Sequence, residues 1–457
     1  MTLLVISPDY ASHLLPLATL ATAWRDAGES VVVATGPATA GIVADFRFER
    51  TDLVLGRGSN PGVIRVDQQP PGEDAALQGF FDATRDGMVA TLIYQAEARR
   101  TDLLWEPVAR ARSVLEIIDT VRPDQVIVDH LAFSARLALT AAGVPHADVV
   151  LGHPTALPVG NEVYGYPEAW PTAFSPRESD LAALHRLSCD VRDAFTAEWN
   201  AALRVLAPGA AASDDAFAEH GEMLLLNYPA ALHDPARTAL LPPHAFLGSA
   251  VRADPADDDV RDWLALDDRP VVYVSFGSFL SARDDVLATV VEALRPLGLR
   301  VAVASGSAAG LPDVPADWLV RPYLPQVALL QRAALLVTHG GNNSVTEALT
   351  AGVPMVVLPF STDQFAGAAA IESAGLGSAL DPNALTSEGL RAAVATVLDG
   401  PAPHLARSVG EDLRRTPGRD VARAAMGGLS EQAAISRPVP PGAPASRAVP
   451  DRARRAW

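Results

Sequence analysis

The sequence predicts an α/β protein built from two doubly wound, Rossmann-like domains that face each other across a cleft. Three observations carry this expectation. Short β-branched apolar runs end in small or polar residues, helical stretches follow them, and the same rhythm occurs in both halves of a 457-residue chain. That length suffices for two or three ordinary domains.

In the first half the runs are Leu3–Ile6, Val31–Ala34, Gln125–Val128 and Ala147–Leu151. After the first, Leu14, Leu17, Ala18, Ala21 and Trp24 recur at helical spacing, and Gly28 is placed to cap the helix end. In the second half the runs are Val271–Phe276, Arg300–Ala304, Leu335–Thr338 and Met355–Pro359. From about Ala230 to Asp268 the chain is rich in Pro and Asp, as in HDPARTALLPPH and RADPADDDVRDW. Pro opposes continued helix and clustered acids stay solvated, so 236–268 reads as an interdomain connection. Asp257–Asp259 within it read as solvated surface rather than metal ligands. The domains are then 1–235 and 269–429. From 430 to 457 the chain is rich in Pro and Arg without periodicity and is expected to be a disordered tail.

Composition excludes several classes. Hydrophobic residues make up 49% and charged residues 20%, a globular balance with material for large cores. A net charge of -18 repels phosphate backbones, which argues against nucleic acid as a partner. The single cysteine, Cys189, forbids an intrachain disulfide and reads as a small core residue. MTLLVISPDY has no basic leader region and reads as a first strand. No apolar run approaches the ~20 residues needed to span a bilayer, and a cytoplasmic location is expected.

The phosphate chemistry is narrowed by elimination. No Gly-rich loop ends in Gly-Lys-Ser/Thr, and neither SPDYASH nor SGSAAG provides the three spaced glycines of a dinucleotide fingerprint. What remains is Thr338-His339-Gly340-Gly341-Asn342-Asn343-Ser344, where a buried strand runs through two glycines into a helix. Free backbone N–H groups at such a helix start make an anion site from neutral donors. The next strand ends in Leu358-Pro359-Phe360-Ser361-Thr362-Asp363-Gln364. An Asp-Gln pair there can both accept and donate hydrogen bonds, which suits neighbouring sugar hydroxyls. Read without other information, both segments also serve as ordinary helix starts.

The run YLPQVALL…THGGNNSVTEAL…PFSTDQFAGAA resembles the signature of the glycosyltransferase family that includes plant secondary-product, animal glucuronosyl and bacterial antibiotic-modifying enzymes. The likeness covers roughly 271–377. It implies the GT-B fold, an inverting mechanism and no cofactor beyond the nucleotide diphosphate sugar, a co-substrate. By it, Tyr323 would stack on the nucleotide base and Gln326 would sit in the same base-binding element. His339 and Ser344 would contact phosphate, Gly341 would allow close approach, and Asn343 would lie beside the phosphates. Glu347 would accept from ribose hydroxyls, Asp363 and Gln364 would hold the transferred sugar, and Ser278 would lie near the β-phosphate. Gly340 and Asn342 depart from the plant pattern and look bacterial. The donor is expected to be a UDP or TDP sugar, with a UDP-hexose favoured.

The first half supplies a base. His13 follows the first strand and starts the Leu14–Trp24 helix, so it faces the cleft, and an imidazole suits general base work near neutral pH. Asp129 ends QVIVD and would orient the ring at the same sheet edge. The resembling family uses such a His–Asp pair. No metal is called for, because the helix start meets the charge of the leaving phosphate. The acceptor is expected to be a small natural-product-like molecule, with Tyr164, Tyr166, Trp170 and Phe174 as a candidate wall. Two other readings stay open here: a helper that activates another transferase, and a nucleotide-sugar epimerase.

Overall fold

The computed structural model of the chain describes residues 1–60, 73–277, 283–306, 308 and 311–436. Its strands are β1 (Thr2–Ile6), β2 (Ser30–Thr35), β3 (Glu49–Asp52), β4 (Gln125–Asp129), β5 (Ala147–Val150), β6 (Met223–Leu226) and β7 (His244–Phe246) in one sheet. The other sheet holds β8 (Val271–Ser275), β9 (Arg300–Ala304), β10 (Leu319–Arg321), β11 (Ala333–Thr338), β12 (Met355–Val357) and β13 (Gly377–Ala379). The strand orders are β3-β2-β1-β4-β5-β6-β7 and β10-β9-β8-β11-β12-β13. Every pairing in both sheets is parallel. Helices cover both faces, so Leu3, Leu4, Val5 and Ile6 of β1 are all fully buried. This burial explains why the strands read as continuous apolar runs rather than alternating ones.

The winding fixes where chemistry can sit. In the first sheet the chain runs outward from β1 through β2 to β3, then restarts at β4 on the other side. The second sheet repeats this with β8 and β11. The helices leaving two such adjacent strands depart to opposite faces, and the gap between them is the usual ligand site. The residues after β1 and β4, and those after β8 and β11, therefore line the two opposed crevices.

Three boundaries differ from the sequence reading. The segment 236–268 is not all connection. Strand β7 completes the first sheet, and the helix Asp258–Leu264 buries Val260 and Trp263 in the second domain's core. Asp257 caps that helix by accepting from Val260 N at 2.9 Å, and Asp257 and Asp259 both pair with Arg321. Proline and acid thus mark helix starts here, leaving a shorter crossing at about 247–257. The second correction concerns the last helix, Gly418–Ser436, which returns to the first domain. Its Ala422 and Met426 join the core around Leu17, Leu20 and Trp24, and Arg419 and Arg423 pair with Asp26 and Glu29. The same helix takes in 430–436, so the expected tail starts later, and 437–457 lie outside the described residues. Third, Phe80 and Phe81 pack with Val272 and Phe276, so the helix Glu73–Asp86 leans on the second domain.

Candidate active site

The two crevices open into one cleft of about 560 Å³ between the domains. On its first wall, the helix Ala11–Asp26 begins directly after β1 with Tyr10 extended at its start, which holds His13 in the first turn. His13 Nδ1 lies 2.8 Å from Asp129 Oδ2, and Asp129 Oδ1 accepts from Leu131 N at 2.8 Å. The Asp129 side chain is 1% exposed and the imidazole 24%. A buried carboxylate facing Nδ1 selects the tautomer with the proton on Nδ1, leaving the Nε2 lone pair to act. Burial tends to lower the His13 pKa, but the charge and hydrogen bond of Asp129, with Asp363 adding, raise it above the ordinary value. The adjacent His130 is turned away to the Ala156 carbonyl at 2.9 Å. Burial, with Arg136 nearby, pushes it down to about 4 and keeps it neutral.

On the second wall, β11 delivers Thr338 and His339, Gly340 turns the chain with φ +84°, and Gly341 starts the helix Asn342–Ala351. A Cβ on Gly341 would lie 2.4 Å from His339 Nε2, and one on Gly277 would lie 3.0 Å from His339 Cε1. These glycines make room for the imidazole itself. Loss of water pushes His339 down to about 4, so near neutral pH it is an uncharged ring. Ser344 Oγ lies 3.4 Å from Gln326 Oε1. Asn343 lines the cleft, but its amide donates to Ser12 O at 3.0 Å, and Asn342 donates to Asn227 O at 2.9 Å. Two asparagines of the anion-facing turn thus tie the domains together.

Further along, Tyr323 is 61% exposed, a ring free to stack, with its hydroxyl 3.4 Å from Asp254 Oδ1. Glu347 is already held by protein partners. It is 4% exposed and both its oxygens are engaged, Oε1 by Arg252 at 2.8 Å and Oε2 by Gln326 at 2.7 Å. A carboxylate this deep needs a counter-charge, and the crossing segment supplies one. Sequence reasoning missed Arg252 because nothing local marks a linker arginine as part of a site 95 residues away.

Asp363 and Gln364 are also partly committed. Asp363 Oδ2 accepts from His153 N of the first domain at 2.5 Å, and Oδ1 accepts from Thr362 Oγ1 at 2.9 Å. Gln364 Oε1 accepts from Phe360 N and Ser361 N, satisfying the backbone where β12's continuation ends, and leaves its Nε2 with Ser361 Oγ. Thr362 holds φ +51°, rare for a β-branched residue, with its N–H on Gln95 Oε1 at 3.2 Å. Ser278 lies outside the described residues.

The aromatic loop serves packing more than expected. Tyr164 stacks on Phe217 at 4.0 Å and 7°, and Phe174 meets Phe365 edge-on at 5.4 Å across the domains. Tyr164 still lines the cleft, whereas Trp170 and Phe174 belong to a satellite core. Cys189 is half-buried on the helix Glu178–Leu206.

Comparison with known proteins bears on the fold and on part of the sequence. Residues 190–404 match the model of the family described as UDP-glucoronosyl and UDP-glucosyl transferase. A PGL/p-HBAD biosynthesis glycosyltransferase of Mycobacterium tuberculosis is 37% identical over 155 residues, 33% of this chain and 36% of the relative. A PGL/p-HBAD biosynthesis rhamnosyltransferase of Mycobacterium bovis is 29% identical over 290 residues, 62% of each chain. The first of these matches thus spans about a third of the relative's length. Among solved structures, the glycosyltransferase VinC in complex with DTDP superimposes with a TM-score of 0.66 at 20% identity, covering 94% of this chain and 100% of that one. The fold is that of the GT-B glycosyltransferases.

Proposed function

We propose that the protein is an inverting, metal-independent glycosyltransferase. It moves a hexose from a UDP or TDP sugar to a hydroxyl of a small, natural-product-like acceptor. The observation that carries this is the His13–Asp129 pair, set across one cleft from the helix start at Gly341–Ser344. His13 Nε2 takes the acceptor's hydroxyl proton as that oxygen bonds to the anomeric carbon. The bond from that carbon to the β-phosphate oxygen breaks, and its electron pair leaves with the diphosphate. Backbone N–H groups and Ser344 receive the growing negative charge, and Asp129 steadies the imidazolium. Tyr323, Gln326 and Glu347 hold the nucleoside, and Asp363 with Gln364 orients the sugar. No nucleic acid takes part. Among the described residues no helix is long and apolar enough to cross a membrane, and we place the reaction in the cytoplasm.

The test is to incubate the purified chain with UDP-glucose or TDP-glucose, with and without chelator, and a panel of phenols, macrolides and amino sugars. Mass spectrometry reads the adducts and NMR the linkage. An inverted, chelator-insensitive hexose adduct is expected. A retained configuration, or donor turnover that needs no acceptor, overturns the reading.

A further inference from the structure

Beside the cleft lies a smaller cavity of about 60 Å³, which shares Tyr164, Thr362 and Asp363 with it. Space of this size exceeds the ~10–15 Å³ that one water-sized group needs, so a carboxylate can enter. Arg99, from the helix Met88–Asp102, forms part of its wall. It is the one arginine among the described residues lining the two cavities, and the sequence contains no lysine.

Arg99 is built in rather than left over. Its guanidinium lies 5.1 Å over the Tyr164 ring, which is itself clamped by Phe217. Gly165 turns with φ +84°, and a Cβ there would come within 2.9 Å of Arg99 Nη1. Tyr164-Gly165 thus forms a seat for the guanidinium. Yet Arg99 makes no hydrogen bond or ion pair with another described residue. The one carboxylate on the same small cavity, Asp363, already has both oxygens engaged by His153 N and Thr362 Oγ1. A partly buried, pre-oriented fork of donors without an anion is suited to bidentate capture of a planar oxyanion. In a chain of net charge -18, an anion is otherwise repelled, so a local cation decides whether it enters.

We infer that Arg99 and the Tyr164-Gly165 seat form a carboxylate subsite of the cleft, so that a substrate of this protein carries a carboxylate beside the reacting centre. This rests on the transfer reading for the word substrate, but not for the binding. The carboxylate belongs either to the acceptor or to a uronic sugar on the donor, and the same contact serves both.

The experiment compares the wild-type chain, Arg99→Gln and Arg99→Lys. Acceptor probes are 4-hydroxybenzoate and 4-hydroxycinnamate against their methyl esters. Donor probes are UDP-glucuronate against UDP-glucose. Calorimetry reads binding and mass spectrometry reads transfer. The wild type should favour the acid member by roughly tenfold or more, as a charge-assisted fork warrants. Arg99→Gln should abolish the preference by weakening the acid probes far more than the neutral ones, and Arg99→Lys should keep part of it. A preference in the acceptor arm assigns the carboxylate to the acceptor, and one in the donor arm assigns it to the sugar. Absence of any acid preference in the wild type, or its persistence in Arg99→Gln, overturns the inference even if transfer proceeds. Acid-selective binding without transfer from any donor would instead count against the proposed activity and leave the subsite standing.

Discussion

His13 Nδ1 and Asp129 Oδ2 stand 2.8 Å apart at the junction of β1 and β4, where the first sheet reverses its winding. His13→Ala should lower turnover by about 10²–10⁴-fold with donor affinity nearly unchanged. The base must be deprotonated to act. Because the pair raises the His13 pKa, activity should fall on the acid side through a value above the ordinary imidazole one. Asp129→Asn should move that limb to lower pH while reducing the plateau. Steady-state rates from pH 5 to 9 read both effects, and an unmoved limb in Asp129→Asn would refute the pairing.

Glu347 and Arg252 predict a pH-dependent nucleotide site. Burial raises the Glu347 carboxyl pKa, while Arg252 and Gln326 oppose the rise. Asp254 pushes the same way as burial, so Arg252 is the cation that keeps Glu347 ionised. In Arg252→Gln the carboxyl should protonate nearer neutrality. UDP-glucose binding should then weaken between pH 8 and pH 6 more than it does in the wild type. Calorimetry at the two pH values checks this, and a flat profile would contradict it.

His339 is pushed to about 4 and works as a neutral ring. UDP-glucose has no group titrating between pH 5.5 and 7.5, so in a His13→Ala background, which removes the other cleft imidazole, its affinity should be level there. A cationic imidazole would instead tighten binding as the pH drops through ~6.5. Titrations with His339→Ala should show weaker binding at both pH values by the same factor.

Arg136 and Asp148 form a fully buried ion pair at 2.6 Å beneath the first sheet. Arg136→Met leaves Asp148 uncompensated and should destabilise the fold by ~3–5 kcal/mol in urea unfolding. Burial alone would raise the Asp148 pKa, but Arg136, His146 and His130 outweigh it and hold it below the ordinary value. Its contribution is therefore present above the unfolded carboxyl's ~3.9 and is lost as pH falls through the lower folded value. That acid-side loss should be absent in Arg136→Met.

The strands and the two crevices were legible because strands buried on both faces leave apolar runs, and because His13, Asp129 and His339 sit at run ends. The edge strands β3 (ERTD), β7 (HAF), β10 (LVR) and β13 (GSA) were not, since edge strands need no apolar run, and the short interior strand β6 (MLLL) was not read either. The order of the motifs located Gln326, Glu347, Asp363 and Gln364, but not what holds them. Arg252, the His153 backbone and the Phe360–Ser361 turn reach these side chains through tertiary contacts with no local signature. The last helix was hidden by Gly427-Gly428 and by the Pro-rich stretch beyond it. Its inward positions, Ala422 and Met426, are spaced like any surface helix, and nothing in that spacing names the domain it docks on.

That returning helix has a consequence for how the chain is made. The face of Ala11–Asp26 that receives Ala422 and Met426 emerges from the ribosome almost 400 residues before its partner, as the numbering of the two helices gives. At ~5–20 residues per second the nascent first domain waits roughly 20–80 s for that helix. A chimera that exchanges the two halves at a single cut in the crossing segment would strand this face against a foreign helix. Two cuts, with the final helix travelling alongside the first domain, keep the native pairing intact.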